Sequence, residues 1–430
     1  MRTEQVLLAC RKRWGNTHTR IGFYQPKSEI IVPIQSPPAV SITVIAMKTP
    51  SCLLALLVWG ISAPLFANTL YVDLPKGDDA NPGTQDAPLK TTAQAIRNAG
   101  PGDTIVILKV DFPIREMITI KDKSGEPGKP ITIDGQGNLF TGSDPLNPED
   151  WSEIKPGVYR NNHLIRDLKV GSKANAATIQ RYFMMWNGQQ NRMGRSSKGY
   201  LAPLVAPDQL KPGEWTYVDA ETAFYIAIDP AKKLADYQIE PAIRQNGVSI
   251  IGTCEHWVLR NLNMTHVIND GFNMHGHVED FVFENITSTE CGDDGISAHE
   301  NSEIVIHGFV SRRNSTGMAH GNTVTSTSDH IVLEDNYGFN LLLGNGTHTF
   351  THSTISAKAP EGGRGGICLM HEPSQGSDRT LVVKFGDCQI PFPDESNPPR
   401  KPPFLVYDGV KLEISSDTQL GGTITQEHSK

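Results

Sequence analysis

The sequence predicts an all-β solenoid, a parallel β-helix built from coils of 24 residues, and three observations predict it. Gly247, Gly271 and Gly295 stand 24 residues apart, in "NGVSIIG", "DGFNMHG" and "DGISAHE". A second run follows each of them: "HWVLRNL" from His256, "DFVFENI" from Asp280 and "EIVIHGF" from Glu303, with "HIVLEDN" from His330 continuing the series. Every run alternates β-branched or aromatic residues with polar ones, the period of a half-buried strand, and Gly, Asn and Asp punctuate between them. Short strands recurring at a fixed period stack rung on rung around one shared core. Repetition of one glycine-apolar pattern at one period sets this apart from an antiparallel sandwich.

Taken in chain order, the first element is a targeting segment. The apolar run "LLALLVWGI" at 53–61 follows Lys48 and ends in "SAPLFA". A charged start, a short apolar core and small residues at the end make residues 47–67 a signal peptide. The run is too short to cross a bilayer core of about 30 Å. Met47 then reads as the start, residues 1–46 as an upstream extension, and the mature chain as a secreted or periplasmic protein. A signal anchor with Arg11, Lys12 and Arg13 on its cytoplasmic side is the alternative.

Residues 68–144 read as the N-terminal cap and first coils. In "TTAQAIRNAGPGD", Thr91 or Thr92 is the N-cap, Ala95, Ile96 and Ala99 form the apolar face, and Gly100-Pro101 is the stop. Such a short helix covers the first open rung, as solenoids require. Residues 145–245 carry aromatic and basic residues without the repeat, and read as a loop-rich insertion walling a groove. Residues 246–390 are the regular coils, with Ile250, Met274 and Ala298 side by side in the core. Val258, Val282, Val305 and Val332 mark their second strands at intervals of 24, 23 and 27, which predicts a loop pushed out around "GNTVTSTS" at 321–328. Residues 391–430, opening with "PFPDESNPPRKPPF", read as a strand-free cover over the far end.

Beyond residue 67 the chain carries 32 basic and 45 acidic residues, a net charge of −13. That balance excludes nucleic acid and anionic membranes as partners. The expected state is a monomer. Cys254, Cys291, Cys368 and Cys388 match no zinc spacing; they either pair in an oxidising compartment or sit between rungs as buried thiols.

Chemistry concentrates in "ECGDDGISAHE" at 290–300. One period apart means stacked, so Asp270 and Asp294 belong on neighbouring rungs about 4.8 Å apart, with Asp293 beside them. Three carboxylates so close require a cation or a raised pKa. Calcium, which takes oxygen ligands, is one answer, with Asp270, Asp293 and Asp294 as its ligands. A shared proton is the other, with two carboxylates as general acid and base of a glycosidase. Eleven of the 14 histidines lie between His256 and His371. His275 and His299 are 24 apart and share the face of Asn273 and Ser297, with Glu300, His277 and His320 nearby. An anionic sugar needs a bidentate arginine or a bound cation. Arg192 and Arg195 in the insertion, and Arg313 and Arg364 on the coils, are the candidates.

The segment from "YVDLPKGDDANPGTQDAPLK" through "SGEPGKPITIDG", residues 71–135, resembles the opening of secreted right-handed parallel β-helix proteins that act on polysaccharides. "NDGF" at Asn269 and "GDDGIS" at Gly292 are similar to the calcium-binding aspartates of polysaccharide lyase family 9. A further aspartate of that family falls at Ser297, and its catalytic lysine falls on "STGMAHGN", where His320 is the proton acceptor. "NDGF", "GDDG" and "AHGN" also resemble, more distantly, the acidic motifs of family 28 polygalacturonases.

These resemblances imply a carbohydrate-active enzyme that cleaves an acidic polysaccharide by metal-assisted β-elimination. His320 or His299 would be the base, with Asp293 in support and Arg313 the next candidate. His275, Glu300, Arg192, Arg195 and Arg364 would bind substrate. An inverting glycosidase and a non-catalytic glycan-binding β-helix are the alternatives.

Overall fold

A computed structural model describes residues 67–358, 366–370, 380–394 and 402–428. Residues 1–66, which hold the upstream extension and nearly all of the segment read as a signal peptide, lie outside the described residues. Among those described, one 20-stranded sheet winds through the chain, and its strands pair in parallel. The molecule is a parallel β-helix.

Its core is a set of columns, one residue per coil. Val248, Phe272, Ile296, Met318, Leu341, Ile367 and Phe404 pair in succession and are buried throughout. Ile250, Met274 and Ala298 start the adjacent column, as the period predicts. Burying one such side chain contributes roughly 1.5–3 kcal/mol, so the columns supply the main driving force.

The corners between strands use left-handed backbone. Gly137, Asn261, Asn285, Gly308, His330, His352 and Asp387 form one corner column, with φ between 47° and 74°. His266, Glu290, Arg313 and Asp335 form the next, always five residues further along the chain. Gly and Asn enter this region at least cost, which is why they punctuate the strands. At the Gly247–Gly271–Gly295 corner a Cβ on Gly247 would strike the Gly271 carbonyl, and one on Gly271 the Gly295 carbonyl, so these three glycines do stack.

The repeat then tightens. Val305 pairs with Thr327, and Val332 pairs with Val310, both 22 residues apart. The loop expected at 321–328 is therefore absent; Val324 is buried and the strand Thr325–Leu333 begins directly after it. The valines at 305 and 332 sit in different columns of the coil, so their 27-residue interval measures no insertion.

At the N-terminal end the helix Thr92–Asn98 is capped by the Thr91 hydroxyl, which accepts from the Gln94 N–H, and it buries Ala95 and Ile96 on the first coil. At the other end the expectation of a strand-free cover fails. Phe404–Tyr407 pairs with Ile367–Leu369, Val410–Ile414 with Leu381–Gly386, and Thr425–Glu427 with Phe404–Tyr407, so the coils continue. Alternation in "FLVYDGVKLEI" outweighs the prolines before it. Among the described residues, Cys254, Cys291, Cys368 and Cys388 are buried thiols.

The chain leaves the coils at Gly142, whose carbonyl accepts from both Ile243 and Arg244 N–H groups on its return. Between these points it forms a four-stranded sheet and a three-stranded sheet, both antiparallel. The helix Lys173–Arg181, capped by Ser172, lies in sequence between the strands Val158–Asn161 and Met184–Trp186. Tyr182, Phe183, Trp215 and Phe224 fill this lobe's own core, which closes on Ile268 of the β-helix. Aromatic edge-to-face contacts such as Tyr182–Trp215, 5.3 Å between centroids, add to its packing.

Candidate functional site

The lobe covers the corner that carries the aspartates. Asp270, Asp293 and Asp294 come together, with ligand-type oxygens within 4.8 Å of one another. Each is no more than 4% exposed. Gly292 makes the approach of the lobe feasible, because a Cβ there would meet the Ile268 carbonyl on one side and the Arg181 carbonyl on the other.

The carboxylates have protein partners. Asp270 accepts from the Asp294 N–H at 2.9 Å, Ser297 Oγ at 2.7 Å and Asn273 Nδ2 at 2.7 Å. Asp293 receives Arg181 Nη1 at 3.0 Å, Lys198 Nζ at 3.2 Å and the Ser197 hydroxyl. Lys198 also pairs closely with Asp294. Burial raises the Asp294 pKa to about 8, Lys198 pulls it back, and Asp293 and Asp270 push it up again. Two fixed cations thus face three carboxyl groups, and a proton on Asp294 balances the remainder.

This donor set does not fit calcium. Such an ion takes 6–8 oxygen ligands, whereas both Asp270 oxygens and both Asp293 oxygens are engaged by N–H and O–H donors, and an ammonium and a guanidinium stand in the cluster. Ser297 adds a hydroxyl, not a carboxylate, and donates it to Asp270.

The histidines divide. His275 and His299 face outward and stack, 4.6 Å between ring centroids and 13° between planes, with Glu300 3.9 Å from His275. Desolvation, then the His275 ring and the Lys198 charge, holds His299 well below the ordinary histidine pKa, so it is neutral at pH 7. His320 is the exception to the sequence reading. It pairs with Ala298 and Leu343 in the core column and is fully buried, so it cannot serve as a base at this surface. Burial, then His348, pushes its pKa down to about 3.

The arginines also depart from expectation. Arg192 is buried and donates to the Gly292 and Arg313 carbonyls at 3.2 and 3.3 Å, to the Cys291 carbonyl, and to Gln190 Oε1 at 2.9 Å. Its guanidinium carbon lies 4.8 Å from the Tyr337 ring centroid, so it anchors the lobe instead of standing free as a clamp. Arg313 is tied to Glu290 at 2.9 Å on the neighbouring corner, away from the aspartates. Arg195 donates to the Ala202 carbonyl and lines a cavity of about 560 Å³ with Trp186, Arg192, Tyr200 and Tyr337. Arg364 lies outside the described residues.

Lys198 and Arg181 were missed by sequence reasoning. The signal is "GRSSKGY", a cluster of basic and small residues in the insertion, but no period ties an insertion to a particular coil.

No family model matches the chain. It is similar to Uncharacterized protein YwoF of Bacillus subtilis (strain 168), 32% identical over 112 residues, which are 24% of this chain and 23% of that protein. The chain thus spans about a quarter of the length of the curated relative it matches. Among solved structures it is similar to one described as Glycoside hydrolase, at 11% identity and a TM-score of 0.51, covering 84% of this chain and 96% of that one. It is also similar to pectate lyase Pel9A, at 13% identity and a TM-score of 0.34, over 84% and 78% of the two chains. Rhamnogalacturonan lyase matches at 13% identity and a TM-score of 0.33, over 84% and 87%. The likeness is one of fold: the chain shares its parallel β-helix with the structure described as Glycoside hydrolase.

Proposed function

We propose that the chain is a secreted enzyme that cleaves an acidic polysaccharide by β-elimination at the surface of His275, His299 and Lys198. The observation that carries this reading is a fixed cation next to a neutral imidazole: Lys198 is clamped by Asp293 and Asp294, and burial, then His275 and Lys198, keeps His299 neutral. The ammonium attracts a uronate carboxylate and so acidifies the adjacent C–H. His299 accepts that proton, the electron pair forms the ring double bond, and the glycosidic oxygen leaves and takes a proton from water. Asp293, Asp294 and Arg181 position the lysine; His275 and Glu300 line the approach. Lysine here takes the role that a bound metal would otherwise take, and histidine remains the base.

Asp294 favours a second reading. A carboxylic acid protonated at neutral pH beside an ionised one is the acid–base pair of a glycosidase. A panel of acidic polysaccharides separates the two, since only elimination gives ultraviolet-absorbing unsaturated ends, while both give reducing ends. For the lyase, His299→Ala lowers turnover at least ~10²-fold with the fold intact. Reducing ends without unsaturated product, unaffected by His299→Ala, would establish the hydrolase instead.

A further inference from the structure

We propose that Asp329, His330 and His352 form a surface site for a borderline divalent metal ion of the zinc type, separate from the aspartate cluster. Their ligand-type atoms lie within 4.8 Å of one another. Asp329 accepts from Nδ1 of His330 and from Nδ1 of His352, both at 2.7 Å, and from Thr351 Oγ1 at 2.8 Å. The two imidazoles stack, 5.0 Å between centroids and 23° between planes. With each ring's proton moved from Nδ1 to Nε2, the two Nδ1 atoms and the Asp329 carboxylate would bind one metal ion at once.

Backbone placement supports a role for these histidines. Asn261, Asn285 and Gly308 occupy the same left-handed corner on the preceding coils, residue types that suit it. The column changes to His330 and His352 at the coil whose strand supplies Asp329, and both keep the left-handed conformation, at φ 54° and 47°. Two more groups flank the trio: His307 Nδ1 lies 3.9 Å from Asp329, and Asp387 lies 3.8 Å from His352 Nε2. The side chains of His330 and His352 are 69% and 52% exposed, so an ion reaches them directly and keeps water in its remaining position. Imidazole with carboxylate suits zinc, copper or nickel, whereas calcium requires a shell of oxygens.

The test is calorimetric titration of the full secreted chain, stripped with chelator, using zinc chloride. One equivalent should bind, calcium chloride in excess should not displace it, and Asp329→Asn should weaken binding at least about tenfold. The double variant His330→Asn, His352→Asn keeps residues that tolerate the corner and should lose the equivalent. His277→Gln, which disrupts the separate Glu255–His277–Glu279 group, should leave it unchanged. Absence of zinc binding, survival of the equivalent in the double variant, or its loss in His277→Gln would overturn the proposal. If the double variant fails to fold, Asp329→Asn decides: unchanged affinity overturns the site.

Discussion

Lys198, itself partly exposed, holds together two buried carboxyl groups that would otherwise repel each other. Removing it leaves Asp293 and Asp294 with Arg181 as the remaining cationic partner shown at the cluster. Lys198→Ala should therefore cost roughly 3–5 kcal/mol in urea denaturation, and on the proposed reading abolish turnover. Asp294 gives the pH signature. Its folded-state pKa lies above that of the unfolded chain, so the stability it confers is complete below about pH 4 and is lost as the pH rises through about 8. The melting temperature of the wild type relative to Asp294→Asn should therefore fall as the pH rises across that window. Added calcium should leave the melting temperature unchanged, because the oxygens it would take are engaged.

Corners and strands carry separate information at the level of the element. Asn285 sits at φ 50° in a corner column that also accepts glycine. Asn285→Gly should change stability by a few tenths of a kcal/mol, whereas Asn285→Val should cost about 1–2 kcal/mol, measured by thermal denaturation. Gly292→Ala should do more, since its Cβ would push the helix Lys173–Arg181 away from the coil and take Arg181 off Asp293. The coils were legible because a 24-residue period repeats every inward residue, and the stacked aspartates followed from the same count. The inward direction of His320 was legible too: it shares parity with Met318, and alternation sends both into the core. What covers the aspartates was not legible. Lys198 reaches them across 96 residues of sequence from Asp294, through a lobe whose antiparallel pairing has no period in common with the coils.

Along the whole molecule the core is not uniformly apolar. His320 and His348 lie inside the coils, 5.7 Å between ring centroids, with Ser326 Oγ 2.8 Å from His348 Nδ1. Burial holds both neutral, with pKa values down to about 3 and about 4. Depressed histidine values stabilise the fold above pH ~6.5, and that contribution is lost as the pH falls toward the folded values. Acidification to pH 4 should thus remove up to ~3 kcal/mol through His348 alone, and His348→Asn should blunt the acid limb of a denaturation series.

The lobe has a mechanical consequence for this stack. In a solenoid each coil touches only its neighbours, so fraying can travel inward one rung at a time. Arg192 bonds the turns at Cys291, Gly292 and Arg313 and stacks on Tyr337, spanning three successive coils from outside the sheet. It acts as a splint: those rungs open together or not at all. In hydrogen exchange they should behave as one cooperative unit, slower than the unsplinted rungs at Phe404–Tyr407 and Thr425–Glu427.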